Sequence, residues 1–370
     1  MKSRAMVQLD DHRLEMVERE IPPLIQGGAL LRVEACGLCG SDVAQYEGEL
    51  VRTGVVTYPV IPGHEPVGVI EDIHPEAERF WGVKKGDRVA VEPHLSCGLC
   101  HTCLSGEYHM CRKVRPSGGL SAYGYMPLDE GHGLWGGYSE YIALNPRTVL
   151  HKLPENMPPH LAALYQAVAA GVRWAVQLPR TALGDTVLIL GAGQRGLGAV
   201  AACREAGASK IIITGRAHDA HKLSLAKTLG ADVVIDVDNE DTVERVQAAT
   251  NGSGVDVVVD TVSMATQPLV EAVEVTRPGG TIILGGLKGN NAVSLLTDRI
   301  LFKELVIRGA YSQGADAYSE ALRLLDEKRE ELGQMHTHSF PLEEAEQAIL
   351  TLAGRAPGAD AICVSLDPTR

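Results

Sequence analysis

The sequence predicts an α/β protein, in which a doubly wound parallel-sheet domain is joined to a β-leaning region rich in Gly and Pro. Two observations carry that class. From Thr186 onward, short and wholly apolar strand runs alternate with helical runs, and a glycine-spaced turn follows the first of those strands. A third observation, four cysteines crowded between Cys97 and Cys111, says that the other region is built around something besides an apolar core.

The strand runs are TVLIL (186–190), KIIIT (210–214), DVVI (232–235), DVVVD (256–260) and TIILG (281–285). Between them lie helical patterns such as LGAVAACREAG and HKLSLAKTLG. Apolar strands separated by helices indicate a parallel sheet covered on both faces. Before this region, ALLRVEA (29–35) and VGVIEDI (67–73) read as strands, and LAALYQAVAAGVRWAV as an apolar helix. After residue 310 the alternation stops. ADAYSEALRLLDEKREEL is expected to form one long helix and LEEAEQAILTLAG another, a tail too short to fold alone.

Bulk properties narrow the function classes. A chain of 370 residues exceeds what one apolar core usually supports, so two domains are expected. With 45% hydrophobic and 22% charged residues it is an ordinary globular chain rather than a disordered one. The net charge of −13 argues against a nucleic-acid partner and against binding to anionic membrane. No apolar run is long enough to span a bilayer. The N-terminus lacks the apolar segment of a secretion signal, so a cytoplasmic location is expected.

VLILGAGQRGLGAV carries Gly191, Gly193 and Gly196 in the G-x-G-x-x-G spacing. The spacing is weak alone, but here it follows an apolar strand and opens a helix, the context of a Rossmann dinucleotide site. Gly191 would permit the tight turn, Gly193 the approach of a pyrophosphate, and Gly196 the packing of helix on strand. The next strand ends in Thr214, Gly215 and Arg216 instead of the acidic residue that binds the ribose hydroxyls of NAD. NAD(P) is therefore the expected cofactor. Arg216 points to NADP, because it can pair with the 2′-phosphate, unless it is merely a solvated side chain.

The run C-x2-C-x2-C-x7-C offers the four thiolates of Cys97, Cys100, Cys103 and Cys111. In a reducing compartment, crowded thiols suggest a metal rather than disulfides. Four thiolates close a tetrahedral structural zinc site, and an iron–sulfur cluster would also use four cysteines. Cys36, Cys203 and Cys363 read as small buried apolar residues.

Two further segments, ACGLCGSD (35–42) and IPGHEPVG (61–68), supply a thiolate, an imidazole and a carboxylate. With these the chain resembles the medium-chain, zinc-dependent alcohol dehydrogenase family. The resemblance runs nearly end to end, through GLCGSD, PGHEPVG, KKGDRV (84–89), the cysteine run, GGYSEY (136–141), GAGQRG and GGTIILGG. Glu65 beside His64, and no long insertion after Cys111, are more similar to the polyol (sorbitol) and threonine dehydrogenase branch.

The resemblance implies zinc as the metal at both places. It implies a GroES-like, mainly β catalytic domain over 1–167, a Rossmann domain over 168–310, and a return of 311–370 to the catalytic domain. It implies that Cys39, His64 and Glu65 surround a catalytic zinc, that Ser41 takes the substrate proton, and that Asp42 braces His64. Lys222 falls where a basic residue contacts the adenosine ribose.

Two departures stand out. Gln166 replaces a glutamate near the metal, and a neutral amide is a weak ligand and a poor base; Ala44 stands where relatives carry a relay histidine. An open zinc site would lower the pKa of bound water from roughly 15.7 to about 7, and would activate an alcohol in the same way. The expected substrate is a small alcohol or its ketone: secondary alcohols, polyols and ring hydroxyls all fit. A zinc-free enone or quinone reductase on the same scaffold is one alternative, and a non-enzymatic zinc adaptor another. A homo-oligomer is expected, a tetramer in preference to a dimer.

Overall fold

The computed structural model describes residues 1–112, 120–357 and 360–370. It divides into two compact units, one formed by Met1–Tyr165 with His336–Arg370 and the other by Gln166–Met335.

The first unit is mainly β. Strands β1 (Lys2–Asp10) and β2 (Arg13–Glu20) form an antiparallel hairpin. A seven-stranded sheet contains β3 (Ala29–Leu38), β4 (Glu65–Ile73), β5 (Arg88–Val91), β6 (Tyr141–Leu144) and β7 (Leu150–Lys152). The chain's end adds two strands, His336–Pro341 and Cys363–Asp367, the latter antiparallel to β3. Alternation along β3 and β4 sends Leu31, Val33 and Ile70 into one core with Ile142, Leu144 and Tyr138. ALLRVEA thus begins, and VGVIEDI ends, a longer paired strand.

The second unit holds six parallel strands. They are β8 (Thr186–Leu190), β9 (Lys210–Gly215), β10 (Val233–Asp236), β11 (Val255–Asp260), β12 (Thr276–Leu284) and β13 (Val306–Gly309). Their order, β10-β9-β8-β11-β12-β13, reverses direction at β8, which is the doubly wound pattern. All five expected apolar strands are present. The sixth, β13, is short and largely exposed, so it carries no apolar run for a sequence to display.

Two helical expectations need correction. The run LAALYQAVAAGVRWAV is a broken series: Pro159–Ala162, Tyr165–Gly171 and a π-helical stretch, Val172–Gln177. The long helix after residue 310 divides into Ala315–Glu327 and Arg329–Gly333, with the non-helical Lys328 (φ −119°, ψ 43°) between them.

The domain boundary moves as well. Residues 311–335, expected to return to the catalytic domain, stay in the second unit, and the chain re-enters the first only at His336. The reason is burial. Helix Ala315–Glu327 buries Tyr318, Ala321, Leu322 and Leu325 and packs on Val172–Gln177, while the Ser312 carbonyl accepts from Trp174 Nε1 at 3.1 Å. Among the described residues, no helix is long and apolar enough to cross a membrane.

Leu325 is fully buried. Leu325→Ala should cost about 2–5 kcal/mol in denaturant unfolding. Hydrogen exchange should accelerate at Val172–Gln177 and leave β3 and β4 unchanged; the reverse pattern would contradict this domain division.

Candidate active site and cofactor cleft

The antiparallel register of β3 and β4 sets Gly37 opposite Glu65 and Cys36 opposite Pro66. Cys39, just past the end of β3, is therefore a neighbour of His64 and Glu65 at the start of β4. A Cβ at Gly37 would lie 2.7 Å from Glu65 Oε2, so this close approach needs glycine. Beyond Gly37, Cys39 caps the helix Gly40–Tyr46, and its N–H donates to Asp42 Oδ2 at 2.8 Å.

The side chains of Cys39, His64 and Glu65 are buried, and their donor atoms lie within 4.8 Å of one another. Cys39 Sγ is 3.3 Å from His64 Nε2, which is 3.8 Å from Glu65 Oε1. Behind the imidazole, His64 Nδ1 faces Asp42 Oδ1 at 3.6 Å. Burial works against charge on His64, yet Tyr125, Asp42 and Cys39 together raise its pKa well above the ordinary value. A thiol, an imidazole and a carboxylate converging in so electronegative a setting suit a borderline-soft divalent cation such as zinc.

Ser41 Oγ lies 2.8 Å from Cys39 Sγ and 3.3 Å from His64 Nε2, and it accepts from Tyr125 OH at 3.2 Å. Tyr125 is 84 positions along the chain from Ser41, in a stretch with no motif, and nothing in the sequence marks it. Tyr46 and Glu47, at the end of the helix Gly40–Tyr46, are engaged by the C-terminal part of the chain, through Glu346 and Arg355 respectively. Gln166 opens the second unit, on the helix Tyr165–Gly171, and so does not share a compact unit with the three converging donors.

The four crowded cysteines form a second group. No disulfide is present among the described residues. Sulfur separations are 3.8 Å for Cys97–Cys103, 3.4 Å for Cys100–Cys103 and 3.9 Å for Cys100–Cys111. A tetrahedron with ~2.3 Å metal–sulfur bonds has edges of ~3.8 Å, so the spacing fits one zinc ion. The N–H groups of Leu99 and Cys100 donate to Cys97 Sγ and hold its thiol below the ordinary pKa. This lobe is moored to the seven-stranded sheet through Glu92, a buried side chain on the turn after β5. Glu92 accepts from Tyr108 OH at 2.6 Å and contacts His151 Nε2 of β7 at 2.7 Å.

In the second unit, the turn after β8 is shaped by Gly191, Gly193 and Gly196. Gly191 has φ +99°, and a Cβ at Gly196 would meet the Gly191 carbonyl at 1.9 Å. A Cβ at Gly193 would meet nothing within 4 Å, because it would project into an open cradle at the start of helix Gln194–Glu205. The cradle belongs to a cleft of about 480 Å³ whose lining includes Gly191, Gly193, Arg216, Asp219, Lys222 and Val262. An open, glycine-lined cradle at a helix start fits a pyrophosphate.

Although β9 ends without a carboxylate, two arrive from nearby. Arg216 Nε lies 3.2 Å from Asp238 Oδ1, and Lys222 Nζ lies 2.8 Å from Asp219 Oδ1. Burial alone would raise the Asp219 carboxyl, but Lys222 and the Arg216 N–H hold it below the usual range. The Ala217 N–H, with Arg216, does the same for Asp238.

A family model described as an alcohol dehydrogenase GroES-like domain matches residues 26–155, and one described as a zinc-binding dehydrogenase matches residues 196–327. A Mycobacterium tuberculosis protein named a probable alcohol dehydrogenase is 41% identical over 368 residues, or 99% of this chain and 98% of its own. The chain belongs to the medium-chain, zinc-dependent alcohol dehydrogenase family. As a member it is an alcohol oxidoreductase that works with zinc and NAD(P). Sorbitol dehydrogenase of Bacillus subtilis is 30% identical over 348 residues, covering 94% of this chain and 92% of its own. A zinc-binding dehydrogenase structure from Sinorhizobium meliloti 1021, bound to NADP, matches with a TM-score of 0.85 at 27% identity, covering 100% of both chains.

For a dehydrogenase of this family with two separate donor groups, metal analysis should give about two zinc ions per chain. Cys39→Ala should lose one ion with the fold retained. Cys100→Ala should lose the other and lower the unfolding midpoint. Loss of both ions from either single variant would mean that the two groups are not independent.

Proposed function

We propose that this dehydrogenase oxidises secondary alcohols or polyol-like substrates, and reduces the matching ketones, with NADP preferred to NAD. The observation that carries this reading is the convergence of the Cys39 thiol, His64 imidazole and Glu65 carboxylate on one buried point. Zinc held by that trio, two of whose members are anionic when ionised, supplies the Lewis acidity that makes an alcohol hydroxyl acidic near neutral pH. The nicotinamide ring supplies the hydride acceptor.

The protein's own groups do the rest. Asp42 orients His64 from behind and fixes which imidazole nitrogen faces the metal. Ser41 Oγ is the first acceptor of the substrate proton, held in place by the hydrogen bond that it receives from Tyr125. With Ala44 in place of a relay histidine, the proton held at Ser41 Oγ would have no imidazole relay and would leave to water. Gln166, a neutral amide, would be a weak metal ligand and a poor base. Cys97, Cys100, Cys103 and Cys111 hold a structural zinc that does no chemistry. A zinc-free reductase has no use for the buried trio, and an adaptor has no use for the cofactor cleft.

Arg216 supports the cofactor preference, since its side chain is 64% exposed and Asp238 engages it through Nε, so its terminal nitrogens remain to take a 2′-phosphate. Lys222 beside it meets the adenosine ribose. The Sinorhizobium structure bound to NADP lends the same preference further weight. The protein works in the cytoplasm as a tetramer. Exposed Val306, on the edge strand β13, and Phe302, just before it, offer apolar surface for that assembly.

A panel of secondary alcohols and polyols, followed by absorbance of the reduced nicotinamide, should give turnover that a chelator abolishes and zinc restores. Turnover of enones with no response to zinc would support the reductase instead. Arg216→Asp should lower the NADP-to-NAD ratio of kcat/KM by about 10- to 100-fold, the worth of a charge-assisted hydrogen bond. An unchanged ratio would remove Arg216 from cofactor choice.

A further inference from the structure

The charged pair closest to the cofactor cleft that the proposed chemistry leaves unused is Asp260 with Lys288. Asp260 ends β11 and is fully buried; Lys288 follows β12 with only 13% of its side chain exposed. Lys288 Nζ lies 2.7 Å from Asp260 Oδ2 and donates to the Val262 carbonyl at 2.6 Å. The rest of Asp260 is just as engaged. Its Oδ1 accepts from the Val262 N–H at 3.0 Å, and its carbonyl accepts from the N–H groups of Gly285 and Gly286 at 2.9 Å. One turn further on, the Met264 N–H donates to the Leu287 carbonyl at 2.7 Å.

These bonds stitch together two loops, 261–264 after β11 and 285–288 after β12. The fit is close: a Cβ at Gly286 would stand 2.2 Å from the Val262 carbonyl. A buried ion pair adds little stability over an apolar pair of the same volume, because desolvation cancels most of the attraction. What the pair does provide is fixed geometry, at the carboxyl ends of the strands where a doubly wound fold binds its ligand. Thr261 and Val262 already line the cleft beside Gly191. Strand order then gives a direction. β9, with Arg216 just past its end, lies on one side of β8, and β11 and β12 lie on the other. A dinucleotide with its pyrophosphate at the β8 turn and its adenosine towards Arg216 sends its nicotinamide towards these two loops.

We propose that Asp260 and Lys288 are positioning residues, a clamp that holds loops 261–264 and 285–288 in the shape that receives the nicotinamide half of the cofactor. This rests on the reading of the cleft as an NAD(P) site. The clamp touches no reacting atom. It acts through the backbone of Val262, Gly285 and Gly286.

Calorimetric titration of the zinc-loaded protein with NADPH and NADH, and with 2′-phospho-ADP-ribose and ADP-ribose, tests it, because the last two lack nicotinamide. Lys288→Met should raise the Kd of the reduced dinucleotides about tenfold or more, while the nicotinamide-free ligands stay within about twofold. Lys288→Arg should restore the wild-type values. Should Lys288→Met fail to fold, the double variant Asp260→Asn/Lys288→Gln removes both charges at nearly constant volume and carries the same expectation. Equal weakening of all four ligands, or of none, overturns the clamp. Wild-type protein that binds neither dinucleotide would overturn the cofactor reading, and the clamp with it.

Discussion

The pairing of β3 with β4 is the constraint on which the rest of the first unit's chemistry depends. Each is an ordinary sheet strand whose apolar residues fill a common core. Their register sets Gly37 against Glu65, and this delivers residues 26 or fewer positions apart in the chain to one point. A slip of one residue would turn every side chain of one strand to the opposite face. The site therefore inherits the stability of the sheet, and the missing Cβ at Gly37 is where that inheritance meets a steric limit.

Charge is handled differently in the two units. Around His64 the protein gathers groups that favour positive charge, with Asp42, Cys39 and Tyr125 on several sides. At the mouth of the cofactor cleft it alternates signs instead: Arg216 with Asp238, and Lys222 with Asp219. For a chain of net charge −13, such local pairing keeps the two cations in place without making a basic patch. The Arg216 pair is exposed and contributes little to stability, so its geometry matters more than its strength.

Much of this was legible in the sequence, and the exceptions have physical causes. The apolar strands of the doubly wound sheet announce themselves because both faces are covered, and the G-x-G-x-x-G turn is readable because its glycines answer steric demands at fixed offsets. Candidate donor residues clustered in PGHE and C-x2-C runs are local, hence visible. β13 is short and largely exposed, and so shows no buried pattern. The segment 311–335 has helical periodicity, but periodicity does not say which core it faces; Tyr318 and Leu325 settle that only in three dimensions. Tyr125 and the Asp260–Lys288 pair were invisible for the same reason. Their meaning lies in partners distant along the chain.

The mooring of the cysteine lobe has a mechanical side. Tyr108 lies three residues before Cys111, and its hydroxyl ends on the same carboxylate that His151 of β7 holds. The lobe and β7 are thus connected in series, through Glu92. A displacement of the cysteine run would pass along the Tyr108 tether to a buried side chain, so an apparently peripheral appendage is mechanically continuous with the sheet behind it.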